Sequence, residues 1–405
     1  MSFIVFHVFS GLEESLAKKT GGVEAFLNNM LRNNVDSEIY SMVIGRKHKL
    51  IPRIITEFKS YGTAENRNQR TQFPYLAYLL SNLILGIALS FLLLLYNGRQ
   101  SGIQQQRVIQ VHDPVIAASL FLFFPRFLKS EMLVSQFHSE YRRRLEIMLP
   151  NTLMSKLTVK LYSYSEKICI WQSDFIVAVS RQIRNYLIAA GCSSRKISVV
   201  PIFLEANPNL ISSSATQIVN SLGIHKNQVI ITYVGRLSKE KNLHFLLSGF
   251  LSIDPSIRNN LTLLIVGTGN QLNDLRRMVP QEETNRVRFL GHRSDVDSIL
   301  DITDIFVLPS LSEGFPFSLL EAMNHGKAIV TSNIPTISEV AKNGHDALLI
   351  DPKSSEQLIA AITAIYSDPN LGHQLGINAK EKARQYSKDK VVPKLINAYA
   401  SHRRK

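Results

Sequence analysis

Residues 312–323 read SEGFPFSLLEAM and follow the apolar run DIFVLPS. The run predicts a buried β-strand, and Pro316 suits the first turn of a helix. The stretch therefore predicts a strand, a loop that contains Glu313 and a helix that contains Glu321. A helix N-terminus attracts an anion, because it presents unsatisfied amides and a positive partial charge. The two carboxylates then suit hydroxyl-bearing groups on either side of that anion, such as a sugar and a ribose.

Short β-branched runs alternate with helical stretches along the chain. They include SFIVFHVF, RVIQVH, EMLVSQFH, FIVAVS and KISVVP in the first half, and VIITYVG, LTLLIVG, RVRFLG, AIVTS and ALLI in the second. Continuous apolar strands separated by helices indicate parallel sheets covered on both faces. The stretch at 203–217, FLEANPNLISSSATQ, interrupts this rhythm and predicts a linker. We therefore expect an α/β protein with two doubly wound, Rossmann-like domains, a number that also suits 405 residues.

The formal net charge of +14 lies mostly in the N-terminal half, where residues 1–200 carry 24 Lys and Arg against 13 Asp and Glu. This half favours an anionic partner, such as lipid headgroups, nucleic acid or phosphorylated substrates. We expect no nucleic acid, because the basic residues do not follow a recognised nucleic-acid motif. The two cysteines, Cys169 and Cys192, offer neither a metal-ligand spacing nor a disulfide framework. We expect no metal and no cofactor.

Two further strand-to-helix connections carry residues suited to phosphate. In TGGVEAFL, Gly22 permits close approach of a phosphate to the backbone, although a purely structural turn is the alternative. In YVGRLSKEKNL, Arg236 and Lys241 follow a strand, and two cations there suit a diphosphate. Solvated loop charges are the alternative for that pair. The stretch VGTGN lacks the full GxGxxG fingerprint and predicts a tight turn.

Four stretches of the C-terminal half resemble retaining glycosyltransferases of the GT-B fold, of the group 1 (family 4) type: SEGFPFSLLEAM, YVGRLSKEKN, VRFLGHRSDV and VAKNGHDALLIDP. In the N-terminal half, TGGVEAFL, VIQVHDP, SQFHSE and FIVAVSRQIRNYL resemble the same family more loosely. The resemblance implies two Rossmann-like domains that face each other across a cleft. It implies an acceptor-binding domain at residues 1–206, a domain for the nucleotide-sugar donor at 207–385, and retention of the anomeric configuration. A C-terminal helix at 386–405 is expected to pack back on the first domain.

The resemblance also implies roles for single residues. Arg236 and Lys241 would bind the donor diphosphate and stabilise its departure, so that no metal is needed. Glu313 would hold sugar hydroxyls, and Glu321 would hold the ribose. His138, at the end of LVSQFH, would contact the sugar near the reacting carbon.

Further donor contacts are implied for Gly22 and for the loop and helix start that contain Gly314, Phe315, Pro316 and Phe317. The backbone amides of that stretch would join the contacts to phosphate and sugar.

Several other polar residues have two interpretations. His112 ends a strand and either faces the cleft or is structural. Arg142 and Arg143, in YRRRLEIM, are candidates for the acceptor site. Asp295 and Asp297 form a DVD that resembles a metal motif of the other glycosyltransferase fold. Because this DVD precedes a helix, we expect helix capping instead.

Residues 75–96, YLAYLLSNLILGIALSFLLLLY, contain no charged residue. A helix of this length spans about 33 Å at ~1.5 Å per residue, which is the thickness of a bilayer. Three interpretations stay open: embedding in or near the membrane plane, a partner interface, and ordinary core. A simple span is disfavoured, because the strands before and after the stretch belong to one sheet.

These observations together predict a retaining, hexosyltransferase-like enzyme that uses a nucleotide sugar, with UDP as the commonest nucleotide of the family. The expected acceptor is a membrane-associated, lipid-linked glycan in cell-surface polysaccharide or glycolipid synthesis. The start MSFIVFHVFSG lacks the basic region of a signal peptide. We therefore expect a cytoplasmic protein, peripheral or monotopic at the cytoplasmic face of the membrane. The alternatives are a soluble acceptor, a catalytically silent membrane scaffold, and a phosphorylase or epimerase of the same fold.

Overall fold

The structure is a computed structural model that describes residues 3–8, 39–44, 106–123, 132–204, 215–225 and 227–402. The chain divides into two compact units. The N-terminal unit is Met1–Pro201 with Val391–Lys405, and the C-terminal unit is Ile202–Lys390. The predicted domain limits, after residues 206 and 385, lie near these divisions, and the roles predicted for the domains stay predictions.

The N-terminal unit is built on a parallel sheet. Its strands are β1 (Phe3–Val8), β2 (Ile39–Ile44), β3 (Gln106–Val111), β4 (Met132–Phe137), β5 (Phe175–Ala178) and β6 (Ile197–Val199). They pair in the order β2-β1-β3-β4-β5-β6. Among its described residues are the helices α1 (Pro114–Phe123), α2 (Tyr141–Met148), α3 (Leu153–Gln172) and α4 (Arg181–Ala189). The Ser180 hydroxyl caps the start of α4, where it accepts a hydrogen bond from the Ile183 amide.

The C-terminal unit repeats this construction. Its strands are β7 (Val229–Val234), β8 (Leu261–Val266), β9 (Val287–Gly291), β10 (Ile305–Leu308), β11 (Ala328–Ser332) and β12 (Leu348–Ile350). They pair in parallel in the order β12-β11-β10-β7-β8-β9. Its helices are α5 (Ala215–Ser221), α6 (Leu243–Leu251), α7 (Pro255–Arg258), α8 (Leu272–Met278), α9 (Val296–Asp301), α10 (Phe317–Asn324), α11 (Pro335–Ser338), α12 (Ser355–Ser367) and α13 (Pro369–Ala383).

The last helix, α14 (Lys388–Ser401), belongs to the N-terminal unit from Val391 onward. Tyr399 is fully buried there, and its hydroxyl donates to the Oε1 atom of Gln110 in β3. The ring of His402, just past the helix, stacks on Phe175 of β5 with 4.5 Å between centroids. The end of the chain therefore completes the core beside β3 and β5.

The strand orders confirm the predicted doubly wound α/β class, because apolar parallel strands fill the middle of each sheet. All residues of β4, β5, β8 and β10 are buried, as expected for strands covered on both faces. The sequence order of the strands reverses between β1 and β3 in one sheet, and between β7 and β10 in the other. Ligands of such sheets bind at the carboxyl ends of the strands at these switch points.

No helix among the described residues is long and apolar enough to cross a membrane. The apolar stretch 75–96 lies outside the described residues, so the three interpretations given for it stay predictions.

Candidate functional site

The connection after β7 places two cations at the switch point of the C-terminal sheet. Gly235 and Arg236 follow the strand directly, and a short 3-10 helix at Lys239–Lys241 leads into α6. The Arg236 guanidinium lies 3.2 Å from a carboxylate oxygen of Glu240, whose side chain is almost fully buried. Arg236 itself is about half exposed. The sheet edge thus presents a guanidinium that is oriented by a buried carboxylate one helical turn away.

The connection after β10 meets this first one through an ion pair. The Lys241 ammonium lies 2.6 Å from Oε1 of Glu313, with side-chain exposures of 16% and 7%. The same carboxylate oxygen accepts a 2.6 Å hydrogen bond from the Ser310 hydroxyl. The Leu311 amide donates to the carbonyl of Glu240 at 2.8 Å and joins the two backbones. Two loops far apart in sequence are therefore fixed against each other at the switch point.

Both cations of this site are paired with carboxylates in the protein. A lysine ammonium has three N–H donors and a guanidinium has five, so each can serve a carboxylate and a phosphate oxygen together. A bound diphosphate would add negative charge to a nearly neutral set of four groups, and the cations would be shared between the two kinds of acceptor. The site is therefore electrostatically balanced before a ligand arrives.

Glycines let the neighbouring connection after β8 approach the loop after β7. A Cβ atom on Gly267 would lie 1.9 Å from the Gly235 carbonyl oxygen, and a Cβ atom on Gly269 would lie 2.3 Å from the Leu237 carbonyl oxygen. Gly267 has φ +132°, and the Leu237 amide donates to the Thr268 carbonyl at 2.8 Å. The backbone of the Gly-Thr-Gly sequence therefore packs against the Arg236 loop and supports it. This is a role beyond that of the tight turn predicted from the sequence.

Helix α10 begins where the sequence predicted. Pro316 occupies the N-cap position, and no side chain caps this end. Gly314, Phe315 and Pro316 are buried, and the Phe315 ring packs edge-on against Tyr386 with 5.7 Å between centroids. The first-turn amides of a helix lack intrahelical acceptors, so this end can bind an anion beside Glu313. Phe317 begins the helix, while Glu321 is half-buried one turn further on.

The N-terminal sheet places two histidines side by side at the ends of β3 and β4. Nδ1 of His112 lies 2.8 Å from Nε2 of His138, and both side chains are buried. In such a contact one ring nitrogen donates and the other accepts, so the accepting nitrogen carries no proton. The pair therefore contains at least one neutral imidazole. His112 contacts the candidate catalytic residue directly, and this contact supports neither of its two interpretations over the other.

The surroundings hold this histidine pair in place. The Tyr141 hydroxyl donates to the His112 carbonyl oxygen at 2.9 Å. Asp113 starts α1, where its carboxylate accepts from the amides of Val115 and Ile116 at 2.8 and 3.2 Å. The segment that follows β3 is therefore fixed on both sides.

The two arginines proposed for an acceptor lie on α2. Arg142 is exposed and pairs with Glu146 at 3.0 Å. Arg143 lies 3.4 Å from Glu140, a buried carboxylate that also accepts from Gln182 at 2.7 Å. Arg142 and Arg143 thus lie on an exposed basic helix just after His138, and their binding of an acceptor stays a prediction.

Other sequence predictions have mixed outcomes. Gly22 lies outside the described residues. Asp295 occupies the N-cap position of α9, but its side chain makes no capping bond and pairs instead with Arg293 at 2.6 Å. The predicted side-chain cap is therefore wrong, because a nearby guanidinium competes successfully with the helix amides. Asp297 contacts His325 at 3.3 Å.

Three site residues were not identified from the sequence. Glu240 and Ser310 position Arg236 and Glu313, and Glu140 anchors the start of α2. For Glu240, its place four residues after Arg236 in a loop-to-helix segment was a usable signal. No group of three or more His, Cys, Asp or Glu in the described part of the chain is arranged to hold a metal ion.

Comparisons with known proteins converge on one group. Residues 214–382 match the family described as glycosyl transferases group 1. This segment contains the Lys241–Glu313 ion pair and the whole of α10.

Two curated bacterial relatives match part of the chain. The first is the UDP-Gal:alpha-D-GlcNAc-diphosphoundecaprenol alpha-1,3-galactosyltransferase of Escherichia coli, which is 35% identical over 43% of this chain and 46% of its own length. The second is the N,N'-diacetylbacillosaminyl-diphospho-undecaprenol alpha-1,3-N-acetylgalactosaminyltransferase of Campylobacter jejuni, which is 30% identical over 45% of this chain and 53% of its own length. The chain thus matches about half the length of each of these relatives.

Solved structures extend the similarity to nearly the whole chain. Anabaena HepE in complex with UDP and glucose superposes with a TM-score of 0.67 and covers 99% of this chain and 100% of its own, at 16% identity. At this identity the similarity establishes the fold, which is GT-B with two Rossmann-like domains, as predicted.

Proposed function

We propose that this chain, whose residues 214–382 match the group 1 glycosyl transferases, moves a sugar from a UDP-sugar to a lipid-linked glycan acceptor. The observation that carries the proposal is the Lys241–Glu313 ion pair at the switch point of the C-terminal sheet. It joins a cation suited to a phosphate to a carboxylate suited to sugar hydroxyls, next to a helix N-terminus.

In this proposal Arg236 and Lys241 hold the diphosphate. Arg236 supplies a planar fork of donors and Lys241 a point charge, and both stabilise the leaving group as its negative charge grows. The first-turn amides of α10 bind a phosphate or sugar oxygen from the other side. Glu313 accepts from sugar hydroxyls, and Glu321 accepts from the ribose.

His138 is proposed to act at the transferred sugar. Its contact with His112 fixes the orientation of its ring, so His112 is a positioning residue for it. The C1–O bond to the diphosphate breaks, and the acceptor oxygen bonds to C1 on the same face of the sugar. The acceptor proton passes to the departing phosphate oxygen. This course retains the anomeric configuration and requires no covalent enzyme intermediate.

The lipid-linked acceptor is supported by the relatives. The E. coli and C. jejuni enzymes both carry a diphosphoundecaprenol acceptor in their names, and both names specify an alpha-1,3 product. The E. coli name also specifies UDP-Gal, and HepE is solved with UDP and glucose. We propose polysaccharide synthesis at the cytoplasmic face of a membrane as the setting, with the basic N-terminal half near the anionic leaflet.

The first experiment is a calorimetric screen of UDP, GDP and ADP against the wild type, R236A and K241A. We expect UDP to bind best and each substitution to weaken it about tenfold, since a hydrogen bond to a charged group contributes ~1.5–3 kcal/mol. R277A is the matched control, because Arg277 forms an exposed pair with Asp274 on α8. Equal UDP affinity in all four proteins would remove the phosphate assignment.

A second experiment separates the two glutamates. E313Q is expected to bind UDP like the wild type but to lose turnover, because Glu313 acts on the sugar. E321Q is expected to weaken UDP itself, because Glu321 acts on the ribose. Identical defects in the two variants would contradict these roles, and a product of inverted anomeric configuration, determined by NMR, would contradict retention.

A further inference from the structure

Helix α3 exposes a row of large apolar side chains along one face. Leu153 is 86% exposed and Trp171 is 76% exposed, with Leu157, Leu161 and Tyr164 exposed between them. Their spacings of three, four and seven residues place all five on one side of a helix. We call these five residues the α3 face. An exposed apolar row of this length marks a surface that binds something.

The opposite side of α3 is fixed in the unit. Thr158, Tyr162, Glu166, Cys169 and Ile170 are buried there. The Tyr186 hydroxyl donates to Glu166 at 2.7 Å, and the Cys169 thiol donates to Ser135 at 3.1 Å. The helix is therefore anchored in the unit by its buried face. The apolar residues of the α3 face take no part in this anchoring.

The charges next to the α3 face have one sign. Lys156, Lys160 and Lys167 are exposed on the same helix, and its one carboxylate, Glu166, is buried on the opposite side. Lysines flanking an apolar row can extend their ammonium groups to anionic headgroups while their stems lie on the acyl boundary. The leucines, the tyrosine and the tryptophan near the end of the helix are also typical of a helix that lies in a membrane interface.

Helix α3 does not have the composition of a helix that crosses a bilayer. Its 20 residues carry three lysines and a glutamate, and no described helix meets the requirements for crossing a bilayer. An orientation parallel to the membrane surface satisfies both the apolar row and the lysines.

We propose that the α3 face docks on an anionic lipid bilayer, with Leu153, Leu157, Leu161, Tyr164 and Trp171 inserted at the headgroup–acyl boundary and the three lysines on the phosphates. The inference deepens the proposed function, since it names the surface on which a lipid-linked acceptor would be met. It does not depend on residues 75–96.

Trp171 reports on this face directly, because it is the only tryptophan in the sequence. In buffer we expect the red-shifted emission of an exposed indole, quenched by iodide. Adding vesicles of phosphatidylglycerol and phosphatidylcholine should shift the emission to the blue, protect it from iodide, and allow quenching by brominated phosphatidylglycerol. Pure phosphatidylcholine vesicles should produce a much weaker response.

Two outcomes would overturn the proposal with the wild type alone. If emission is already blue-shifted in buffer and vesicles leave it unchanged, another part of this chain or a second copy covers the face. Light scattering then distinguishes a dimer from an internal cover. If the protein sediments with anionic vesicles while Trp171 stays accessible to iodide, the membrane contact lies elsewhere.

Variants test the apolar residues of the α3 face and the neighbouring lysines separately. L157S/L161S should weaken vesicle binding about tenfold or more, at low and high salt alike, because apolar insertion is not screened. K156Q/K160Q/K167Q should weaken it about fivefold per lysine at low salt only. I377S is the matched control, because Ile377 is an exposed apolar residue on α13. Vesicle affinity that falls equally in I377S would contradict a specific face.

Failure of docking and failure of the proposed function are separable. UDP affinity, and turnover with a short-chain, water-soluble diphospho-sugar acceptor, should be unchanged in L157S/L161S. Loss of docking with UDP binding intact would affect only this inference, whereas absent UDP binding in the wild type would affect only the proposed function.

Discussion

The two sheets present their candidate site residues at equivalent places but with different chemistry. At the end of β7 and β10, Lys241 and Glu313 form a close ion pair beside Arg236 and Glu240. At the end of β3 and β4, the pair is His112 with His138, joined by one hydrogen bond. The first edge is assembled from full charges, and the second from imidazoles of which at least one is neutral.

The difference suggests a division of labour between the two edges. A diphosphate leaves with growing negative charge, which cations held in fixed positions stabilise. In the proposed function an oriented imidazole hydrogen-bonds to hydroxyls of the transferred sugar, which requires no full charge on the ring. Loss of charge should therefore impair function at the edge of the C-terminal sheet, and loss of a hydrogen-bonding ring should impair it at the edge of the N-terminal sheet.

The largest effect is expected where the loops after β7 and β8 of the C-terminal unit pack backbone to backbone. In G267A the new Cβ would lie 1.9 Å from the Gly235 carbonyl oxygen at a residue with φ +132°. We expect the free energy of unfolding of the C-terminal unit to fall by more than about 4 kcal/mol, with loss of UDP binding. Chemical denaturation followed by circular dichroism measures this.

G344A is the control for that substitution. Gly344 has φ +69° with nothing within 4 Å of its added Cβ, so only backbone strain of about 1–2 kcal/mol is expected. If G267A is as stable as G344A, the loops after β7 and β8 can separate freely, and the Arg236 loop is not supported by them.

The next effect concerns the ion pair. In K241M the Glu313 carboxylate stays buried without its cation, and the free energy of unfolding should fall by about 3 kcal/mol. In K241M/E313Q much of that stability should return, because no unpaired carboxylate is left. UDP affinity should stay low in both variants, since both lack the cation that is proposed to bind the phosphate. Recovery of UDP affinity in the double variant would mean that Lys241 serves only to neutralise Glu313.

A smaller effect is expected at the histidine pair, and it should appear in turnover. H138A should lower kcat about a hundredfold, as removal of one oriented hydrogen-bonding group does, and leave UDP affinity unchanged. H112N should lower kcat less and shift its pH dependence, because His112 is proposed to act through His138. A loss of thermal stability in H112N with a wild-type pH profile would make His112 structural.

Much of this arrangement could be predicted from short contiguous patterns. Apolar runs followed by helices predicted the two parallel sheets, and Arg236, Lys241, Glu313 and Pro316 stood next to predicted strand ends. The contacts between these residues could not be predicted in this way. Lys241 and Glu313 are 72 residues apart, and only the strand order brings them together.

Two other features show why local rules were insufficient. Asp295 has the right position for a helix cap, but Arg293 binds its carboxylate. The α3 face has a clear helical period in the sequence, yet such a row usually indicates core, and only the burial of the opposite side shows that it points outward.

The smallest effect is expected at a third histidine, which can be compared with the His112–His138 pair. His325 ends α10, with Asp301 at 2.8 Å and Asp297 at 3.3 Å. Burial lowers the pKa of His325, but the two carboxylates raise it and prevail, so the pKa lies above its ordinary value. Unlike the His112–His138 pair, this imidazole has carboxylate partners that stabilise its charged form at a helix C-terminus.

A raised pKa in the folded state contributes stability that is fully present below the ordinary histidine pKa and is lost as the pH rises through the folded pKa. The free energy of unfolding of H325N should therefore fall below that of the wild type by about 1 kcal/mol at pH 6, and by less at pH 9. Denaturation curves at the two pH values measure this, with H373N as the control because His373 is an exposed histidine on α13. An equal deficit at both pH values would mean that His325 stabilises α10 as a neutral hydrogen-bonding group.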